Sequence, residues 1–436
     1  MRRVLLVSYY APPRAGVATT RTRQLIDYLP LHGWNVTVFT AALPGAQECV
    51  IQSGYVDLPE ALKTAIGLRG KSAHGALGIS PAPRGLRRSP RQWVVAWGYR
   101  LTSYPDPQVG WLLPGRRAFK AALAQERYDA VLSSSPPFTT DLMLASACPD
   151  IPWVADYRDL WGDSDYYASP MRQQLDRWLE RWTLRRVSAV TTISHPMADA
   201  LRSHRSGLPV EVIPNAFDET EWRDVPFEHE DRTTFVYAGQ LFGGRRDPRP
   251  LFRAVRTLIE RGELSPAQLH IDLYCVNEPW LSEAILQSNL THVVRVRGVV
   301  PREDVMRAER RSDRLLVFLW DGTNTEGILT GKIFEYLGAR RRVLAVGGPR
   351  ESAVDQLLGD TGAGIRVRDE AAIGREILDA VAEHRRGAIQ RTDETRLRAF
   401  SADEMARRFA AVLDRVTGLP SATQALEPAS AVRHNP

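Results

Sequence analysis

Leu315-Leu316-Val317-Phe318 is followed, after a polar break, by Thr325-Glu326-Gly327-Ile328-Leu329-Thr330-Gly331-Lys332-Ile333-Phe334-Glu335-Tyr336-Leu337, and then by Val343-Leu344-Ala345-Val346. An apolar run, a glycine-interrupted loop, a stretch of helical period and a second apolar run spell strand, loop, helix, strand. Thr330 stands as the N-cap of a helix predicted over Gly331–Ala339. Strand–helix–strand alternation at this spacing implies a right-handed βαβ unit in a parallel sheet.

The same alternation runs outward in both directions. Upstream in the second half, strands are predicted at Phe235–Ala238, His270–Tyr274 and Val293–Val296, with helices at Pro250–Arg261 and Arg302–Arg311. In the first half, strands are predicted at Val4–Ser8, Val36–Thr40, Ala130–Ser133, Trp153–Ala155, Ala189–Ser194 and Val210–Ile213, with a helix at Thr20–His32. Between the halves lies DETEWRDVPFEHED, which has no periodicity and reads as a linker. The fold class expected is α/β, two tandem doubly wound parallel-sheet domains: an N-terminal domain over 1–217, a linker over 218–232 and a C-terminal domain over 233–398. A helix over 399–418 and a disordered Ser/Ala/Pro-rich tail over 419–436 complete the reading.

Bulk properties are those of a soluble globular protein. The 436 residues are 44% hydrophobic and 25% charged, enough chain for two large cores. Cys49, Cys148 and Cys275 are far apart and form no CxxC pair, so neither a disulfide framework nor a zinc site is expected, and all three read as packing residues. No apolar run is long enough to span a membrane, and the reading is cytoplasmic. The net charge of +6 is concentrated. Arg69, Lys71, Arg84, Arg87, Arg88, Arg91, Arg100, Arg116, Arg117 and Lys120 face a single acid, Asp106, with Trp93, Trp97 and Trp111 interleaved. A solvated basic loop over core tryptophans and a peripheral contact with an anionic membrane surface both fit; nucleic acid is not expected. The loop Ser72–Pro90 within it is expected to be mobile.

The chemistry concentrates where strands end. Backbone N–H groups at the start of a helix, with the positive end of its dipole, attract phosphate, and Lys332 adds a full charge. One turn on, Glu335 offers a carboxylate able to accept from two vicinal ribose hydroxyls; an acid so placed also simply stabilises a helix. Gly16, in a loop between the first strand and a helix carrying Arg21, permits close approach of backbone to a ligand. Trp153-Val154-Ala155-Asp156-Tyr157-Arg158-Asp159 delivers charged groups to the carboxyl end of a strand, where α/β folds bind ligands. No G-x-G-x-x-G follows a strand, which argues against a dinucleotide dehydrogenase.

These segments resemble, in order along the chain, the retaining family 4 glycosyltransferases of the GT-B fold. The resemblance implies two Rossmann-like domains facing a cleft, with the last helix packing back toward the first domain. Glu335 matches the second glutamate of the family's E-x7-E signature, which binds the donor ribose. Glu326 stands one residue early, so either it contacts the donor sugar or Gly327 takes that place and the sugar is held by amides of Gly327, Ile328, Leu329 and Thr330. Phe235-Val236-Tyr237-Ala238-Gly239-Gln240-Leu241 is similar to the family's strand-G-R-L, with Gln240 in place of the arginine and Arg245 near the lysine position; both would face the diphosphate. Val296-Arg297-Gly298 is similar to the segment whose backbone meets the donor base. Arg158-Asp159 stands where the family often has His-Asp, and an arginine is no general base. Front-face attack needs none, so Arg158 is expected to steady diphosphate or acceptor, with Asp156 or Asp159 orienting the acceptor hydroxyl. His195 reads as positional.

The function expected is transfer of a sugar from a nucleotide-diphosphate sugar to a hydroxyl of a glycan or lipid-linked acceptor. No metal or other cofactor is implied, because Lys332, Arg245 and a helix dipole meet the diphosphate charge. An epimerase on the same fold and a catalytically degenerate nucleotide-binding scaffold are the two rivals.

Overall fold

The computed structural model describes residues 2–14, 16–42, 50–58, 61, 102–162, 170–320, 322, 325–387 and 391–418. Cys49, most of the basic stretch with Trp93 and Trp97, the loop Ser72–Pro90 and the tail from 419 fall outside them.

The chain divides into two compact units. One gathers the chain up to Thr192, Ala200–Glu211 and the end of the chain from Phe409; the other gathers Ile193–Asp199 and Val212–Arg408. Each is built on one sheet.

In the first unit the strands are β1 (Arg2–Ser8), β2 (Trp34–Ala41), β3 (Val50–Ser53), β4 (Ala130–Ser135), β5 (Trp153–Tyr157), β6 (Ala189–Thr192) and β7 (Val210–Val212), in spatial order β3-β2-β1-β4-β5-β6-β7. β1 pairs in parallel with both β2 and β4, so the winding reverses there. Val4, Leu5, Leu6 and Val7 are wholly buried, as a central strand covered on both faces requires. Phe39, Trp111, Phe119, Trp153 and Trp161 fill the core around them. Trp111 is therefore no surface residue: it stacks on Phe39, and its Nε1 donates to Ser53 Oγ at 2.6 Å. Of the two alternatives left open for Trp111, its burial fits the core tryptophan and not the membrane-surface one.

In the second unit the strands are β8 (Thr233–Ala238), β9 (Leu269–Tyr274), β10 (Val294–Val296), β11 (Arg314–Leu319), β12 (Val343–Gly347) and β13 (Gly364–Val367), in the order β10-β9-β8-β11-β12-β13, all parallel. The reversal lies between β8 and β11. Phe235, Phe252, Leu316, Phe318 and Leu344 belong to its core. The edge strands β3 and β13 were not predicted. Both are four residues long and mostly half-exposed, so neither shows an apolar run.

The acidic segment expected to be a linker is packed within the second unit. Glu219–Trp222 is a short helix capped by Asp218, and Trp222 is buried against Gly338. The Phe227 ring meets the guanidinium groups of Arg310 and Arg391, each about 4 Å from its centre. The last helix, Ala402–Thr417, contributes Phe409 and Asp414 to the first unit, where Asp414 pairs with Arg2 and accepts from Trp34 Nε1 at 2.8 Å. Cys148 is exposed while Cys275 is buried, so of these two only Cys275 packs in a core.

Candidate functional site

Open α/β sheets bind ligands beyond the carboxyl ends of the strands where the winding reverses. In the second unit those are β8 and β11. Gly239-Gln240 follows β8, and the segment leading to Lys332 follows β11. Most of the sequence-predicted donor residues of this unit thus leave adjacent strands at one sheet end.

The helix Gly331–Ala339 has Thr330 at its N-cap, as expected, but the Thr330 side chain makes no capping hydrogen bond. Only backbone closes the turn, Ile333 N–H donating to Thr330 O at 3.1 Å. Among the described residues no side chain accepts from the first-turn amides, the state in which a helix start attracts an anion. Ile328 is different, because its N–H already donates to Thr325 O at 3.2 Å. Gly327 is tightly packed: an added Cβ would lie 2.9 Å from Ser194 Oγ and 3.2 Å from Met197 Cγ, so those side chains would have to shift. Leu329 is buried. The Glu326 side chain is half-buried and makes no polar contact among the described residues, while its carbonyl accepts from Ala353 N–H at 2.7 Å.

Lys332 and Glu335 form an ion pair one turn apart, Nζ to Oε2 2.5 Å. Two further residues complete the cluster, and sequence reasoning assigned neither a role. Arg302 reaches Glu335 Oε1 at 3.2 Å and Glu221 at 2.6 Å. Glu309, wholly buried, lies with Oε1 3.5 Å from Lys332 Nζ, and among the described residues its Oε2 has no hydrogen bond. Burial and the Glu335 charge push the Glu309 carboxyl up, to about 8, against the opposing pull of Lys332. Lys332 is itself pulled down by burial, but Glu309 and Glu335 outweigh this and hold its ammonium above the usual range. A carboxylate three residues from Met306, on the helix face that Met306 buries, was the available signal for Glu309.

Around the end of β8, Tyr237 O–H donates to Gln240 O at 2.9 Å, and the Gln240 side chain is exposed. Arg245 is exposed, with its guanidinium 5.6 Å from the Trp320 ring centre. Gly298 follows β10 with φ 76°, a backbone state that favours glycine.

In the first unit the winding reverses between β1 and β4. Gly16, at φ 132°, precedes the helix Val17–Tyr28; an added Cβ would meet nothing, so conformation rather than space requires glycine. Arg21 and Asp156, expected on the acceptor side, instead bind each other in the core. Arg21 Nε and NH2 donate to Asp156 at 2.9 and 2.8 Å, and Ser134 and Thr191 hydroxyls take the remaining capacity of the carboxylate. With Asp156 wholly buried, the pair braces the sheet.

Arg158 donates from Nε to Ser135 O, from NH1 to Ala18 O at 3.0 Å and from NH2 to Pro136 O at 2.7 Å. Three of its five N–H groups are thus spent on carbonyls, tying the ends of β4 and β5 to the Val17–Tyr28 helix. Asp159 is exposed, yet the protein around it removes enough water to raise its carboxyl to about 6, against the charge of Arg158. Among the described residues no three His, Cys, Asp or Glu side chains are grouped to hold a metal ion, and no helix is long and apolar enough to cross a membrane.

Residues 16–216 match the family model described as glycosyl transferase 4-like domain. No curated protein sequence matches the chain. Among solved structures, sucrose-phosphate synthase from Thermosynechococcus elongatus superposes with a TM-score of 0.59 at 15% identity, over 96% of this chain and 100% of that one. Anabaena HepE in complex with UDP gives 0.55 at 15% identity, over 95% and 100%. A Listeria monocytogenes protein bearing the name UDP-N-acetylglucosamine 2-epimerase gives 0.57 at 13% identity, over 96% and 98%. At such identities these likenesses speak for the fold, two Rossmann-like units in tandem.

Proposed function

We propose that this glycosyltransferase of the GT-B fold moves a sugar, with retention, from a nucleotide-diphosphate donor to a hydroxyl of a glycan or lipid-linked acceptor, in the synthesis of a cell-surface polysaccharide or glycolipid. The observation that carries the reading is the Lys332–Glu335 pair at the open start of the Gly331–Ala339 helix, beyond the reversal point of the second sheet. Anabaena HepE, similar over nearly its whole length, binds UDP, which supports a nucleotide donor.

In this proposal the donor exchanges partners with the protein. Its diphosphate takes Lys332 from Glu335 and adds the first-turn amides and Arg245. The released Glu335 accepts from the ribose hydroxyls. The base meets backbone near Gly298 and Gly239, and the sugar lies by Glu326 and Gly327. The diphosphate charge is met by these groups, and no metal is invoked. As the bond from anomeric carbon to phosphate oxygen breaks, charge grows on the leaving diphosphate. Lys332 and the helix start stabilise it, and the leaving oxygen takes the acceptor proton. Asp159 orients the acceptor hydroxyl, and Arg158 braces the loops beneath it with two N–H groups to spare. The enzyme works in the cytoplasm, at the inner face of the membrane.

An epimerase is the second reading, favoured by the Listeria likeness. Incubation with a panel of nucleotide sugars, with and without glycan acceptors, separates the two. A transferase makes a new glycoside with the donor's anomeric configuration and, without acceptor, shows only slow hydrolysis. An epimerised nucleotide sugar formed without acceptor would overturn the proposal.

A further inference from the structure

The helix Pro170–Leu184 reads PMRQQLDRWLERWTL. Met171, Leu175 and Trp178 are spaced i, i+4, i+7 and so share one face. They are 80%, 46% and 60% exposed, a contiguous line of large apolar side chains in water. Both acids of the helix point the other way and are wholly buried. Asp176 accepts from Tyr104 and Trp161, and Glu180 accepts from the Gly162 amide and pairs with His204. The outer face continues beyond Trp178 with exposed Arg181 and, just past the helix, exposed Arg185.

A second helix of the same layer repeats the pattern. Leu112–Gln125 packs, as Pro170–Leu184 does, against the buried helix Thr139–Ala147. It contains no acid and exposes Leu113, Arg117 and Lys120. The acid preceding it, Asp106, is buried where it accepts from the Thr139 amide and hydroxyl at 2.9 and 2.7 Å. Within these two helices every exposed charge is positive, with apolar side chains between the charges; the exposed Glu126, just past Gln125, pairs with Arg3.

We propose that this outer face docks on an anionic bilayer surface. Met171, Leu175 and Trp178 enter at headgroup depth, where an amphipathic indole is favoured, and Arg117, Lys120, Arg181 and Arg185 meet lipid phosphates. Charge complementarity selects this occupant over a second copy of the chain, since a two-fold contact through the same face brings its own arginines together. The inference rests on the peripheral-membrane part of the reading above and is independent of the donor chemistry.

Co-sedimentation of the full chain with phosphatidylglycerol–phosphatidylcholine vesicles, against pure phosphatidylcholine, tests it. The wild type binds the anionic vesicles only, and less as salt rises. Leu175→Ser with Trp178→Ser, and separately Arg181→Gln with Arg185→Gln, each weaken that binding about tenfold or more. Unfolding temperature and nucleoside-diphosphate affinity, measured on the same samples, stay at wild-type values. Wild-type protein that binds the vesicles but no nucleotide counts against the donor reading alone. Where the serine pair lowers the unfolding temperature, Trp178→Phe replaces it, and brominated-lipid quenching of tryptophan emission falls relative to wild type. Three results overturn the proposal: no wild-type binding to anionic vesicles at low salt, variants that bind or are quenched as wild type, or a dimer lost in the variants while vesicle binding persists.

Discussion

Lys332 Nζ lies 2.5 Å from Glu335 Oε2 and 3.5 Å from the wholly buried Glu309 Oε1, so one ammonium faces two carboxyl groups, of which burial favours the protonated form of Glu309. The cluster is held together before any ligand arrives. In the proposed donor complex phosphate takes the place of Glu335 at Lys332, and Glu309 stays beside the ammonium.

Glu309 gives the protein a pH signature. Its folded pKa is raised, from the ordinary 4.5 to about 8, so the folded state holds this proton more tightly than the unfolded chain does. Linkage then makes stability fall as pH rises between those two values. Glu309→Gln removes the titrating group. Thermal unfolding across this range should show a flatter slope in the variant, with its relative stability greatest at the alkaline end. Parallel profiles for the two proteins would mean that Glu309 titrates normally.

Asp156→Ala should cost stability rather than acceptor affinity. The substitution removes the bidentate partner of Arg21, 2% exposed, and breaking such a buried pair costs about 3–5 kcal/mol. Urea unfolding measures the loss. Normal stability combined with a raised KM for acceptor would return Asp156 to the acceptor side.

Gly338→Ala places a methyl 2.2 Å from Trp222 Nε1 and 2.6 Å from Cδ1. The indole is buried and has little room to yield, so overpacking of about 1–3 kcal/mol is expected, more than the helix gains by losing a glycine. The variant should melt earlier and bind nucleotide more weakly, because the shift falls one turn from Glu335. An unchanged or higher melting temperature would show that Trp222 yields easily.

The central strands were legible because burial on both faces forces continuous apolar sequence, as in Val4-Leu5-Leu6-Val7 and Leu315-Leu316-Val317-Phe318. The edge strands Val50–Ser53 and Gly364–Val367 were not, because half-exposed strands tolerate Gln52 and Arg366. At the site, Lys332 and Glu335 could be read because they share one helix turn. Arg302 and Glu309 come from another helix, and nothing local marks them as partners of that pair. Arg21 and Asp156 show the converse: each looked available in its own segment, and each proves to be the other's partner across 135 positions.

Titration calorimetry of a nucleoside diphosphate and its parent nucleoside, on wild type and Lys332→Ala, tests the donor site most directly. Loss of a charged hydrogen bond of about 1.5–3 kcal/mol predicts diphosphate affinity lower by roughly tenfold to a hundredfold, with nucleoside affinity nearly unchanged. Equal weakening of both ligands, or a folded wild type that binds no nucleoside diphosphate of any base, would contradict the account.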